Sequence, residues 1–428
     1  MVAQNPTVRC HPVAEAQWCV ERFAFVERRG MELLAAWVWT TGNLDAKLEF
    51  GRHAYEDATH AELFLQRAKE LRSALPTYGW QPRTLDLDTL DQVFRALVPA
   101  PTLASKLGAL YGALKPWTLR QYEAYVREGD PIMEGPTLRL LEQIMAEGRR
   151  HIAWGQAFLD ALMATDLTAQ GEAEEWRARV TGLLAAPAVP LVPAGGPSDP
   201  LVRFVGVQPA SDPRMHLVYY TPGEGPSEEV DFDPQSETEI QQVMLSTLVS
   251  VETEAEELLC RILVEYPDLP WTMRLQLARQ MWDECRHAAS QRRILEGLGA
   301  SLGTWPAITY INRFVGDEPD VLKRLIVLQR VVEGTSVDQH RPRGRFFLEQ
   351  GMIALVTMFD YVLADEDGHI ALSRWIPVVA GDNPARLRDL ATYQARKERE
   401  FSDFSDWLVS KRRDLQRLYQ PAGTASAR

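Results

Sequence analysis

The sequence predicts an all-α protein built from two tandem four-helix bundles. Three observations support this fold class: apolar residues recur three and four positions apart, strand-like alternation is scarce, and the two halves of the chain repeat each other. The helical spacing covers residues 15–40, 45–73, 136–165, 240–265, 271–298, 319–348, 352–378 and 385–419.

Length and composition favour a globular protein with more than one domain. The 428 residues exceed an ordinary single core, and 46% hydrophobic with 25% charged residues is typical of soluble proteins. We find neither an apolar run of the roughly 18 residues that a membrane span needs nor a secretory signal, so we expect a cytoplasmic protein without membrane residence. The net charge of -13 disfavours nucleic acid as a partner.

A cluster of proline and glycine at residues 186–197 cannot continue a helix and places a domain boundary near residue 190. Beyond it, residues 202–207 and 216–220 could pair as a short β-hairpin. The last helix either packs on its bundle or mediates a homodimer. The predicted divisions are a first bundle (1–190), a linker with the hairpin (191–239), a second bundle with the C-terminal helix (240–420) and a disordered tail (421–428).

The repeat is clearest around two histidines. At a constant shift of 227 positions, six residues of the first half match like residues of the second: Arg52, Tyr55, Glu56, Asp57, His60 and Ala61 match Arg279, Trp282, Asp283, Glu284, His287 and Ala288. Near the end of each half, residues 146–153 parallel residues 364–371. This pattern indicates an internal duplication.

Two motifs in the second half combine Glu with His three residues later. Glu284 precedes His287, and Glu366 precedes His369. Residues three apart share a helix face, so each motif offers one oxygen and one nitrogen to a metal ion. Both pairs lie on the apolar stripes of their helices, where an unpaired carboxylate is costly.

Two further helices each supply a lone glutamate. Glu333 continues the inward stripe of its helix, with Gly351 as the predicted turn before Glu366. If residues 266–270 form the turn of an antiparallel pair, Glu252 is level with Glu284. Glu257 lies about 7.5 Å further along the axis and is the reserve choice, since each residue rises about 1.5 Å.

The predicted ligand set therefore combines four carboxylates with two imidazoles, the composition of a four-helix di-metal site. Four negative charges balance two divalent ions, and oxygen and nitrogen donors without thiolate suit iron or manganese. The set comprises Glu252, Glu284, His287, Glu333, Glu366 and His369.

With this set, residues 240–378 resemble the ferritin-like diiron-carboxylate superfamily, which includes ferritins, rubrerythrins and diiron oxygenases. The resemblance implies tandem ferritin-like bundles, and it implies that the six residues bind two iron ions, with manganese as the alternative. It also implies dioxygen as a co-substrate.

The first half departs from that pattern. Gly148 occupies the position of Glu366, and an ungapped register places Lys115 opposite Glu333. The retained residues are Glu27, Asp57, His60 and His151. We expect a metal-free scaffold in this half, with a weak or mononuclear site as the alternative.

The resulting functional expectation is a non-haem diiron oxidase or oxygenase that acts on a small organic substrate in the biosynthesis of a specialised metabolite. No flavin or dinucleotide fingerprint is visible, so the electrons would come from an external reductase, a ferredoxin or the substrate. Two alternatives stay open: a non-enzymatic ferritin-like metal-binding or scaffold protein, and a tRNA-modifying hydroxylase, which the acidic charge disfavours.

Overall fold

The computed structural model describes residues 10–72, 87–185, 199–219, 236–381 and 383–418, and within these ranges the protein is predominantly helical, as predicted. The proline and glycine cluster at residues 186–197 and the predicted tail, residues 421–428, lie outside the described residues. Among the helices that are described, none combines the length and the apolarity that a membrane crossing requires.

Seven α-helices precede residue 186 in the described ranges. They are α1 (Val13–Thr40), α2 (Leu44–Glu70), α3 (Leu87–Leu97), α4 (Leu103–Ala109), α5 (Lys115–Glu128), α6 (Gly135–Met163) and α7 (Ala169–Ala185). The sequence periodicity predicted α1, α2 and α6, whereas it did not single out the shorter helices α3, α4, α5 and α7.

The second half is helical at all five predicted stretches. Its described helices are α8 (Glu237–Thr247), α9 (Glu254–Glu265), α10 (Trp271–Gly297), α11 (Ile311–Val315), α12 (Val321–Ile326), α13 (Glu333–Glu349), α14 (Ile353–Ala371), α15 (Trp375–Ala380) and α16 (Pro384–Leu418). A 3₁₀ turn (Leu372–Arg374) joins α14 to α15.

Local sequence explains where several of these helices begin and end. The Ser236 side chain caps α8 by accepting a hydrogen bond from the Glu239 amide at 3.3 Å. Both predicted turns occur: residues 266–270 separate α9 from α10, and Gly351 separates α13 from α14 with a φ of 71°. Glycine suits that position because other residues rarely adopt a positive φ.

Three π-helical turns interrupt the helices within the described residues. They are Leu110–Leu114 between α4 and α5, Leu248–Thr253 between α8 and α9, and Val327–Val332 between α12 and α13. A π turn inserts residues that the 3.6-residue period does not anticipate, and such turns are frequent at functional sites.

The chain divides into two compact units, Met1–Trp37 with His53–Arg203, and Val38–Arg52 with Phe204–Arg428. Residues 38–52 thus belong to the second unit, whereas the predicted boundary near residue 190 placed all of 1–190 in one domain. The buried Lys47 explains their place, because its ammonium group pairs with Glu257 and donates to the Ala210 carbonyl at 2.9 Å. Helical periodicity alone does not indicate such long-range partners.

Each unit has an apolar core. In the first unit, buried side chains of α1, α2, α5 and α6 pack together, among them Val20, Phe64, Tyr122 and Leu141. In the second unit, α10 packs against α8, α9 and α14, and α13 packs against α14. Its core includes Leu245, Ala288, Leu355 and Phe359. The predicted apolar stripes therefore form the inward faces of these helices.

The predicted β-hairpin is wrong. Strand β1 (His216–Tyr219) pairs in parallel with β2 (Pro306–Thr309), with His216 opposite Pro306. Residues 202–207, all of which are described, form no strand. Two backbone amides of this segment donate hydrogen bonds to side chains: the Phe204 amide to Glu265 at 2.7 Å, and the Gly206 amide to Asp317 at 3.2 Å. These amides are therefore not available to pair with a strand.

Candidate metal centre

The six predicted ligand side chains converge inside the second unit. Glu284 and His287 come from α10, Glu366 and His369 from α14, and Glu252 from the π turn after α8, while Glu333 directly follows the π turn after α12. Each of the six is at most 3% exposed. The structure thus brings together, in a buried location, the set that the motif spacing predicted.

Glu284 lies between the two histidines. One of its oxygens is 3.4 Å from His287 Nδ1, and the other is 3.4 Å from His369 Nδ1. Glu252 approaches His287 Nδ1 to 3.5 Å. The ligand atoms of Glu252, Glu284 and His287 all lie within 4.8 Å of one another, as do those of Glu284, Glu333 and His369. Glu284 therefore belongs to two adjacent clusters, and its two oxygens face different histidines.

Glu366 completes the second cluster. Its Oε2 atom is 3.4 Å from His369 Nδ1, and a Glu333 oxygen is 3.9 Å from the same nitrogen. The second cluster accordingly contains the carboxylates of Glu284, Glu333 and Glu366 around one imidazole.

Glu257, the reserve candidate, has other partners. Its carboxylate pairs with Lys47 and accepts a hydrogen bond from the Asn312 amide at 2.5 Å. Glu254, one turn earlier, accepts from the backbone amides of Tyr310 at 2.8 Å and Ile311 at 2.7 Å. The acidic residues on this helix are therefore distributed over different sites, and Glu252 is the one beside His287.

Two aspartates face the outer nitrogens of the histidines. His287 Nε2 is within hydrogen-bonding distance of Asp365, at 3.1 Å, whereas His369 Nε2 lies 3.6 Å from Asp283, an ion-pair contact longer than a hydrogen bond. Each aspartate directly precedes the motif glutamate on the opposite helix, so the two contacts are reciprocal. A carboxylate at the outer nitrogen fixes the ring orientation and directs Nδ1 inward. Helix periodicity did not predict this role for the aspartates, although Asp-Glu occurs in both motifs.

The side-chain amides of two glutamines donate hydrogen bonds to the ligand carboxylates. Gln280 donates to Glu284 at 3.1 Å and to Glu333 at 3.0 Å, and its own oxygen accepts from Gln329 at 2.5 Å. Gln291 donates to Glu252 at 2.5 Å. These bonds hold three of the four carboxylates in place.

Burial and crowding of like charges perturb the site. Burial, followed by the neighbouring carboxylates Glu366 and Glu284, raises the pKa of Glu333 well above its usual value. Burial also raises the pKa of Glu284 to about 7, against the lowering effect of His369 and His287. Ionised Glu284 and Glu333 are therefore costly in this buried site, and a bound cation would favour their ionised forms.

The donor atoms fit a pair of metal ions. His287 Nδ1, His369 Nδ1 and Glu366 Oε2 are buried and have no hydrogen-bond partner among the described residues. Leaving a buried polar atom unsatisfied costs about 1–3 kcal/mol, so these atoms indicate a missing partner. The nearby Cys285 thiol is directed to the Met281 carbonyl at 3.1 Å, which leaves an oxygen and nitrogen donor set suited to iron or manganese.

Buried Glu256 provides a pH-dependent test of this core. Burial, opposed by Lys47, raises its pKa to about 8. The folded state therefore binds more protons than the unfolded state between pH 4.5 and about 8, and stability falls as pH rises through this window, by up to about 1.4 kcal/mol per pH unit. Glu256→Gln should consequently gain stability relative to wild type at pH 8.5 but not at pH 4.5.

Urea unfolding of both proteins in the presence of a chelator measures this difference. The exposed Glu349 provides the control, since Glu349→Gln should differ from wild type by the same amount at both pH values. An effect of Glu256→Gln that does not change with pH would show that the carboxyl group has an ordinary pKa.

A lysine occupies the corresponding place in the first unit. Lys115 directly follows a π turn, as Glu333 does, and its ammonium group pairs with Asp57 and lies 4.0 Å from Glu27. Burial raises the pKa of Glu27, but Lys115 and His60 overcome this effect and lower it to about 2. The lysine thus supplies positive charge where the second unit has a fourth carboxylate.

Carboxylates also face the outer nitrogens of the histidines in the first unit. His60 Nε2 is 2.8 Å from Glu147, and His151 Nε2 pairs with Glu56. In the sequence register, Glu147 corresponds to Asp365 and Glu56 to Asp283. At Gly148, a Cβ atom would meet Leu119 at 3.0 Å, so this leucine side chain lies where a glutamate would begin.

The first unit also contains a third buried histidine, His53. His53 Nδ1 is 2.7 Å from the Tyr111 hydroxyl, and ligand atoms of His53, Glu56 and His151 lie within 4.8 Å of one another. Glu27, Asp57 and His60 form a second such group, beside Lys115. The expectation of a metal-free first half stays a prediction.

Comparison with known proteins assigns no activity. Residues 207–409, slightly under half of the chain, match a family described as "Protein of unknown function (DUF455)". No curated protein and no solved structure matches the chain. The matching segment contains all six residues of the candidate metal centre.

Proposed function

We propose that the protein is a non-haem diiron oxidase or oxygenase that uses dioxygen to oxidise a small organic substrate. The observation that carries this proposal is the pair of buried clusters that share Glu284, because their donors match a di-metal carboxylate centre. Two bound iron ions, or manganese in their place, would supply the redox chemistry with dioxygen.

The protein's own residues would bind and orient this centre. Glu252, Glu284 and His287 would hold one ion, and Glu284, Glu333, Glu366 and His369 the other. Asp283 and Asp365 would keep the imidazoles aligned through their outer nitrogens. The buried location excludes bulk water from the ligand atoms.

We further propose that the units are two ferritin-like bundles, one of which has lost its di-metal site. Three correspondences support a duplication: the π turns before Lys115 and Glu333, the pairing of His60 with Glu147 as of His287 with Asp365, and the pairing of His151 with Glu56 as of His369 with Asp283. The first bundle would then serve as a scaffold.

A cavity favours an enzyme over a metal-storage or scaffold protein. It has a volume of about 770 Å³, and His287 lines it. Cavities of this size hold small organic ligands, so a substrate could lie next to the proposed centre. An external reductase or ferredoxin would supply electrons for a monooxygenase reaction.

The amount of iron retained after exposure to excess iron distinguishes an oxygenase from a metal-storage protein. Metal-free protein is supplied with about 20 Fe(II) per chain and air, and then separated from free iron by gel filtration. An oxygenase should retain about two iron ions per chain. Retention of much more iron would favour storage.

A further inference from the structure

The cavity beside His287 lies between α10 and α14 of the second unit, and its walls are mostly apolar. Its volume of about 770 Å³ is within the usual range of about 300–1,000 Å³ for small-molecule sites. The apolar lining includes Ile294, Leu298, Met352, Leu355, Met358 and Val362. Such walls favour a hydrocarbon chain or ring.

The inner part of this cavity adjoins the candidate metal centre. His287 contributes to the lining from α10, and Val362 does so from α14, one turn before Glu366. A ligand that fills the cavity would therefore bring its apolar part close to the proposed ligand residues.

A cation without an acidic partner lines the same cavity. Arg293 is exposed on α10, and no carboxylate pairs with it among the described residues. Its neighbours differ: Arg286 binds Asp283 and Asp365, and Arg292 binds Asp45 and Glu296. In a chain of net charge -13, an arginine that has no carboxylate partner in the described ranges and lies beside an apolar cavity is available to an anionic ligand.

We propose that this cavity binds an amphipathic monocarboxylate, with its carboxylate at Arg293 and its apolar chain or ring directed toward His287. The planar guanidinium group matches a carboxylate, and one free cation balances one negative charge. Arg293 lies six residues after His287, or about 9 Å along the helix. The part of the ligand nearest the centre would accordingly lie several bonds away from its carboxylate.

This inference deepens the proposed function, since it takes the ligand to be the substrate, but binding itself needs no metal. Calorimetric titration of the metal-free protein with octanoate, octanol and octyl phosphate tests it. Octanoate should bind at least tenfold more tightly than octanol. Arg293→Gln should lower the affinity for octanoate about tenfold and leave octanol unchanged, whereas Arg388→Gln, which removes an exposed arginine on α16, should leave all three affinities unchanged.

A second variant tests the location. Ala354→Trp places a large side chain in the cavity and should abolish binding of octanoate and octanol alike. Equal affinities for octanoate and octanol, tighter binding of octyl phosphate, or no effect of either variant would overturn the proposal. Because the titration uses metal-free protein, its failure is independent of whether the protein binds iron.

Discussion

Glu284→Gln should lower the metal content of the protein from about two ions per chain to fewer than one. Glu284 is the only one of the six ligand residues whose carboxylate lies within 3.5 Å of both inner histidine nitrogens, so its loss affects both clusters. Glutamine keeps the shape and removes the charge. Elemental analysis after anaerobic reconstitution with Fe(II) and gel filtration measures the effect.

The same substitution should not destabilise the metal-free protein at pH 8. Burial raises the pKa of Glu284 to about 7, so the ionised group is costly in the folded state at this pH. Glu256→Gln is the matched control, because Glu256 is equally buried on α9 but lies outside both clusters, and this variant should retain two ions. Full metal occupancy in Glu284→Gln would refute the proposal that Glu284 contributes to both clusters.

Lys115→Met should lower the free energy of unfolding at pH 8 by about 3–5 kcal/mol, the usual result of removing one partner of a buried ion pair. The variant leaves Asp57 and Glu27 buried without their ammonium partner. Urea unfolding of metal-free protein measures the loss.

A double variant separates charge from packing. In Lys115→Met with Asp57→Asn, most of the lost stability should return, because replacing both partners of a buried pair is often close to neutral. If the double variant is as unstable as Lys115→Met, the lysine stabilises the first unit through packing. Its proposed role as a source of positive charge would then be wrong.

The sequence was sufficient to predict the long helices and the side chains that converge. The spacing of three residues places Glu284 and His287 on one helix face, and it does the same for Glu366 and His369. The rise per residue then predicts which glutamate of the preceding antiparallel helix lies at the same height as Glu284. The structure accordingly places Glu252, and not Glu257, next to His287.

Other features depend on information that periodicity does not contain. The π turns shift the helix face locally, and no residue type marks them. Residues 202–207 are rich in valine, which strands favour, yet Glu265 and Asp317 accept hydrogen bonds from two of their amides. The Asp-Glu pattern places Asp283 and Asp365 beside the motif glutamates, but which histidine each aspartate contacts depends on how α10 and α14 pack against each other.

Anaerobic titration of metal-free wild-type protein with Fe(II) tests the central claim most directly. We expect saturation at two ions per chain, because the second unit holds one intact di-metal centre and Lys115 supplies positive charge in the first unit. Metal binding should weaken as the pH falls, because the ligand carboxylates and imidazoles must lose protons. Saturation at four ions per chain would contradict the loss of the site in the first unit, and binding of one ion or none would contradict the di-metal centre itself.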